Sequence, residues 1–339
     1  MANALSLEKV LRNRARRRFG LLLLKRLGEA LPTVLGIMVL NFLLLNSAPG
    51  NAVDALVGIM GASDPEFVAR MTAQFGLDRS MPERLAIYIG NLFTFNLGNS
   101  YYFNRPVADL IFERLGATLL LMLSSIGLAV VVGVTLGITS ARYFNTLLDR
   151  VIGLIALLLY AMPVFWVGLM LIILFSVKLE WFPMGGASTI GADNGPFYAA
   201  VDVLRHLALP MITLSLYFIA TYTRLMRASM LETLHKDYIR TARAKGVPER
   251  AIAYRHALRN ALLPVVTVIG VQMGALLGGS VIVETVFGWP GLGRLAYESV
   301  VQRDFNVLLG ILFMSSIVVL TVNLLIDLVY AKLDPRIEI

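Results

Sequence analysis

Six long apolar blocks leave this chain few ways to fold. Residues 29–48, 116–140, 151–177, 207–223, 261–283 and 307–329 contain no Lys or Arg, and their only acids, Glu29 and Asp327, lie near block ends. At 1.5 Å per residue, each block reaches or approaches the length a helix needs to cross a hydrocarbon core of about 30 Å. Buried helices of a soluble protein would carry polar stripes at helical period, and these blocks carry none. The expectation is an all-α integral membrane chain with six transmembrane helices.

The charge content agrees. Only 15% of the 339 residues are charged and 57% are hydrophobic, against about 25% charged in a soluble domain. The absence of cysteine excludes disulfides, thiol catalysis and Cys-based metal sites. A net charge of +8 would suggest nucleic acid in a soluble protein; here no nucleic-acid partner is expected, because basic residues gather on the cytoplasmic side of membrane proteins. With the N-terminus inside, segments 1–28, 141–150, 224–260 and 330–339 hold 21 of the 30 Lys and Arg, although they are the shorter share of the extramembrane residues. Both termini are therefore expected in the cytoplasm. Residues 12–26 followed by an apolar run also fit a signal peptide, but Pro49 directly after Asn46-Ser47-Ala48 disfavours cleavage, and removal would spoil the parity of the spans.

The expected organisation is a basic cytoplasmic segment 1–28, a first span 29–48, a periplasmic or interfacial helical segment 49–115, a five-helix core 116–329 that includes the cytoplasmic loop 224–260, and a cytoplasmic tail 330–339. In 49–115, Ser63-Asp64-Pro65-Glu66 reads as a helix start and Gly76 as its stop. Pro82-Glu83 starts a second helix through Arg84–Phe95, and Val107–Leu115 reads as a third short one. Glycines at four-residue spacing, Gly133 with Gly137 and Gly270 with Gly274 and Gly278, read as close helix packing. Pro163 is expected to kink the third span.

Several chemistries are missing. There is no phosphate loop, no His-Glu-x-x-His and no Gly-x-Ser-x-Gly, and His206, His235 and His256 are scattered. No metal, cofactor or catalytic residue is expected in the chain. No row of acids lies mid-span, so ion-driven transport lacks its usual residues. Tyr160, Tyr217, Tyr222, Gln272, Ser280 and Asn323 are polar span residues that could line a path or simply pack.

Loop 224–260 is long and carries nine basic residues. It reads as two helices: Arg224–Lys245, ended by Gly246 in the left-handed conformation, and a second begun by Pro248-Glu249. On the second, Ala251, Ile252, Tyr254, Leu258 and Leu262 form an apolar stripe. A basic lip touching anionic lipid headgroups would explain the charge, but not the helix–Gly–Pro–helix design.

This loop resembles the "EAA" signature of binding-protein-dependent ABC transporter permeases. Arg240-Thr241-Ala242-x-x-x-Gly246 stands where that signature has Glu-Ala-Ala, and Leu258-Arg259 follows. The full run Asp237 to Gly246 is similar to the dipeptide, oligopeptide and nickel branch, as are His256 to Pro264, Phe287-Gly288-Trp289-Pro290-Gly291-Leu292-Gly293 and the tail Leu333-Asp334-Pro335-Arg336-Ile337. The resemblance looks closest to the first inner-membrane subunit of dipeptide permeases. It implies a type I ABC importer permease fold in a bacterial inner membrane. It also implies a second homologous permease, two cytoplasmic ATPase subunits that bind ATP and Mg, and a periplasmic binding protein. The residues expected to couple to an ATPase are Arg240, Thr241, Ala242, Arg243, Lys245, Gly246, Pro248, Glu249, Leu258 and Arg259. A secondary transporter or channel without ATPase partners is the alternative from another class, and a membrane scaffold a third.

Overall fold

The computed structural model describes residues 28–29, 31–47, 53, 57, 64–74, 76–189, 191 and 195–333. Nearly all of the basic segment 1–28, Ser63, and the tail from Asp334 lie outside the described residues. The described elements are helical: α1 (Leu31–Ser47), α2 (Pro65–Gln74), α3 (Met81–Phe93), α4 (Val107–Arg142), α5 (Leu147–Ala161), α6 (Val164–Leu171, continued by a π-helical stretch Ile172–Lys178), α7 (Pro196–Leu234), α8 (Asp237–Ala244), α9 (Glu249–Ala261), α10 (Leu263–Val286), α11 (Leu292–Val301) and α12 (Phe305–Leu333). Among them, α4, α7 and α12 are each long and apolar enough to cross a membrane. The count rises to five if the bent pairs α5–α6 and α9–α10 are one span each, and α1 is a shorter apolar helix.

The chain divides into two compact units. The first gathers the described residues up to Ala108 and those from Gln302 onward. Its core is Met38, Leu92 and Phe313, with Val34, Tyr88, Leu97, Leu312 and Ile317 packed around them. The expected stops and starts are present here. Asp64 accepts from the Glu66 amide at 3.0 Å at the head of α2. Gly76 has φ +63°, and the amides of Gly76 and Leu77 close onto Ala73 and Thr72, the double bond of a Schellman stop. Glu83 reaches back to the Ser80 amide at 3.1 Å to open α3. Val107–Leu115, expected as a separate helix, instead opens the 36-residue α4. Nothing between Leu115 and Arg142 interrupts the backbone ladder, and neither a proline nor a cap residue stops it.

The second unit, Asp109–Val301, is built on α4 and α7. A Cβ on Gly133 would stand 2.8 Å from Tyr222 Cβ, and one on Gly137 2.8 Å from Thr223 O. Both glycines therefore act as the spacing suggested, letting two backbones close to contact. The glycines of α10 differ: nothing among the described residues lies within 4 Å of a Cβ at Gly274 or Gly278. Four-residue spacing reports a flat face and not the helix that covers it, and among the described residues none closes on Gly274 or Gly278.

The kink at Pro163 is a break. Met162 takes ψ 132°, extended as the residue before a proline prefers, and α5 and α6 meet at 102°. The block 151–177 is thus two limbs and not one straight span. Large apolar side chains on these limbs, such as Leu154 and Leu158, are more than half exposed, as in lipid or a subunit interface and not in water.

Candidate functional site

The basic loop is assembled differently from its sequence reading. Residues 224–234 continue α7, which runs 39 residues, about 58 Å. The chain breaks at His235-Lys236, where the Lys236 amide bonds Thr233 O at 3.1 Å and Lys236 O takes the Ile239 amide. The expected helix Arg224–Lys245 is therefore two: the end of α7, and the eight-residue α8. Asp237 in the first turn of α8 offers its negative charge to a fresh helix N-terminus, which local charge alone did not reveal.

α8 buries Ile239 and Ala242 and exposes Tyr238, Arg240, Thr241, Arg243 and Lys245. Gly246 ends it at φ +75°. The Gly246 amide bonds Arg243 O at 2.9 Å and the Val247 amide bonds Ala242 O at 3.2 Å, the two bonds of a Schellman stop. Pro248, extended at φ −64° and ψ 143°, then caps α9. Arg243 spans the turn: its Nε and Nη2 donate to Glu249 Oε1 and Oε2 at 2.7 and 3.2 Å. This fork holds the Glu249 carboxyl below the usual range. Asn260 Nδ2 donates to Tyr238 Oη at 2.8 Å, tying the far end of α9 to α8. The turn is thereby stiff, yet nothing among the described residues stands within 4 Å of a Cβ at Gly246.

Of the expected coupling residues, Arg240, Thr241, Arg243, Lys245, Gly246, Pro248 and Glu249 share this exposed turn, while Ala242 is buried beneath it. Leu258 and Arg259 lie in the last turn of α9, about nine residues or 14 Å further along, and are not brought to the tip. The apolar stripe of α9 also differs. A π-turn over Ile252–Ala257 widens the period, so Ile252, Ala253, Ala257 and Ala261 are buried while Tyr254 is turned out. Tyr254 instead takes the Arg142 guanidinium at 5.7 Å from its ring centre.

Two clusters escaped the sequence reading. At the root of the loop, Asp149 is buried and accepts from Arg227 Nε and Nη2 at 2.7 and 2.8 Å and from the Asn145 amide at 2.9 Å. Ser140 Oγ donates to the same carboxylate. This clamp joins α5 to α7 two turns before α7 ends. Thr146, which caps α5 through the Asp149 amide, was a readable helix start; the partner 78 residues on was not.

At the end of α10, the Glu284 side chain is fully buried. It accepts from Thr118 Oγ1 at 2.8 Å and the Arg294 amide at 2.9 Å. A Cβ at Gly291 would collide with the carboxylate, and one at Gly293 would stand 2.7 Å from Val281 Cα. The Trp289 indole donates to Ala117 O at 2.9 Å. The Phe287–Gly293 run is thus a glycine-lined wrap around one carboxylate, pinning α10 and α11 to α4.

The polar span residues do not form one lining. Tyr160 and Tyr217 stack at 5.2 Å, with the Arg224 guanidinium 4.2 Å from the Tyr160 ring centre. Tyr222 is buried against Gly133, and neither its hydroxyl nor Gln272 Oε1 has a partner among the described residues. Ser280 is buried one helical turn before Glu284. Asn323 is exposed and belongs to the first unit.

Known proteins are similar to this chain. Residues 133–339 match the family described as binding-protein-dependent transport system inner membrane component. A putative peptide permease protein of Brucella suis is 43% identical over 317 residues, covering 93% of this chain and 98% of that protein. The oligopeptide transport system permease protein AppB of Bacillus subtilis is 38% identical, with 93% and 98% covered. The di/tripeptide transport system permease protein DppB of Pseudomonas aeruginosa is 37% identical, with 93% and 97% covered. A chain from the structure of the MetNI methionine ABC transporter in inward-facing conformations superposes with a TM-score of 0.54 at 18% identity, covering 66% of this chain and 96% of that one. The fold is that of an ABC importer permease, and the chain belongs to the family of binding-protein-dependent transport system inner membrane components.

Proposed function

We propose that this chain is the permease subunit of an ATP-driven importer of di- and oligopeptides, and that the turn around Gly246 is its contact with a cytoplasmic ATPase. The single observation that supports this most is the stiff, uncovered helix–Gly246–Pro248–helix turn at the base of α7. The names of the relatives supply the peptide. ATP and Mg are bound by two partner ATPases, a second homologous permease completes the path, and a periplasmic binding protein delivers the ligand. Both termini and loop 224–260 face the cytoplasm, in six spans.

The geometry gives such a subunit a means of coupling. A push on α8 reaches α7 through a two-residue link. α7 carries it along about 58 Å of continuous helix, and the Asp149–Arg227 clamp hands part of it to α5. The flush contact of α4 on α7 at Gly133 and Gly137 makes these helices move together. ATP binding in the partners then biases a rigid-body switch between two states.

Vesicles test the reading. This chain with its co-purifying subunits is expected to take up dipeptide only when ATP reaches the cytoplasmic face; this chain alone should take up none. Substantial uptake by the chain alone would overturn the importer reading. Labelling a Gly246→Cys variant, in an otherwise cysteine-free chain, with an impermeant reagent from the periplasmic side would overturn the topology.

A further inference from the structure

The first unit holds a half-open pocket of about 340 Å³, within the range of small-molecule sites, far along the chain from the Gly246 turn. Part of its lining is apolar: Phe42 of α1, Ile87 and Leu92 of α3, and Leu309 of α12. Interleaved with these are donors: Arg79 after α2, Arg84 and Asn91 of α3, and Asn46 at the end of α1. No Asp or Glu lines the cavity among the described residues. Arg84 is held in place, its Nη2 donating to Asn46 Oδ1 while Asn46 Nδ2 donates to Phe42 O at 2.8 Å. A neutral amide occupies one of five guanidinium N–H groups and brings no charge of its own. Neither Arg79 nor Arg84 forms an ion pair with a described carboxylate.

Two guanidiniums and four side-chain amides, with no carboxylate among the described lining residues, select an anion with several acceptor oxygens. The apolar side chains beside them select an anion joined to hydrocarbon. Position narrows the choice further. Asn46 stands at the polar end of α1, an apolar helix whose Leu40, Leu43 and Leu44 are about half exposed, and Phe42 lies one turn deeper. In the proposed topology this is the periplasmic headgroup boundary, where a guanidinium meets lipid phosphates.

We propose that this cavity is a phospholipid site, with the lipid phosphate on Arg79 and Arg84, the glycerol against Phe42 and Leu309, and the acyl chains leaving along α1. The ligand is structural, held by unit one independently of transport.

The test uses the full assembly carrying this chain, washed with detergent and supplied with phosphatidylglycerol, with bound lipid counted by native mass spectrometry. One phospholipid should survive the wash. Retention should fall at least about ten-fold in Arg79→Gln/Arg84→Gln, and equally in Ile87→Trp, which fills the space and keeps both arginines. Millimolar inorganic phosphate or dialanine should not displace it. Displacement by phosphate would make this a soluble-anion site, and displacement by dialanine a substrate site; either overturns the proposal. So does full retention in Ile87→Trp, which decides alone if the arginine variant fails to assemble.

Discussion

Two turns in the second unit end their helices by the same hydrogen bonds and have opposite surroundings. At Gly246 and at Gly288, φ is +75° and +60°, and in each case the next residue's amide reaches back five residues, Val247 to Ala242 and Trp289 to Glu284. Around Gly246 there is open space. Beyond Gly288, Trp289 is anchored on α4, and Gly291 and Gly293 close over Glu284. One local code thus makes both an exposed knob and a buried lock. What distinguishes them is not the turn but what the rest of the chain brings to it.

That contrast can be broken first at Gly293. An alanine there meets Val281 backbone atoms at 2.7 and 2.9 Å, which cannot move without disturbing α10. Overpacking of this kind costs about 3 kcal/mol, so Gly293→Ala is expected to lower both membrane abundance and thermal midpoint sharply. Normal abundance and midpoint would mean that the wrap around Glu284 is loose. At Gly246 the same substitution meets no atom and carries only the left-handed backbone cost, about 1–2 kcal/mol, so abundance should fall little.

Function should sort the turns the other way. Gly246→Asp, in an exposed turn proposed as an ATPase contact, is expected to abolish ATP-dependent uptake while the protein still inserts. Gly191 is a matched control: its φ is +81° and nothing described stands within 4 Å of its Cβ, so Gly191→Asp bears the same backbone cost in a different loop and should transport normally. Equal loss of uptake in both variants would show that backbone strain, and not contact with an ATPase, is responsible.

The smallest effect concerns the Arg243–Glu249 fork. Because Glu249 is held below its ordinary value in the folded chain, its contribution is present above the unfolded carboxylate range and is lost as pH falls through the folded value. Both side chains are substantially exposed, so the contribution is below about 1 kcal/mol. The thermal midpoint of Glu249→Gln should sit slightly under that of the parent at pH 7 and converge with it in acid. A gap that widens in acid would contradict the fork.

How much was legible in advance follows the same division. The stops at Gly76 and Gly246 and the starts at Pro65 and Pro82-Glu83 were readable because each is set by a few consecutive residues: a glycine that accepts positive φ, a proline that lacks an amide, a carboxylate that answers the first turn. The apolar blocks were readable because hydrocarbon length is a property of sequence alone. The candidate turn belongs to this class, which is why most of its residues could be named beforehand.

The 102° break at Pro163, the π-turn in α9, the Asp149–Arg227 clamp and the enclosure of Glu284 belong to the other. A proline signals a weak point, but neighbouring helices set the angle. A carboxylate 78 residues from its guanidinium, or 166 from the Thr118 hydroxyl, finds its partner only when helices from distant parts of the chain have packed. Local chemistry determined where helices begin and end. Tertiary packing decided which faces meet, because burial joins residues by distance in space and not by order along the chain.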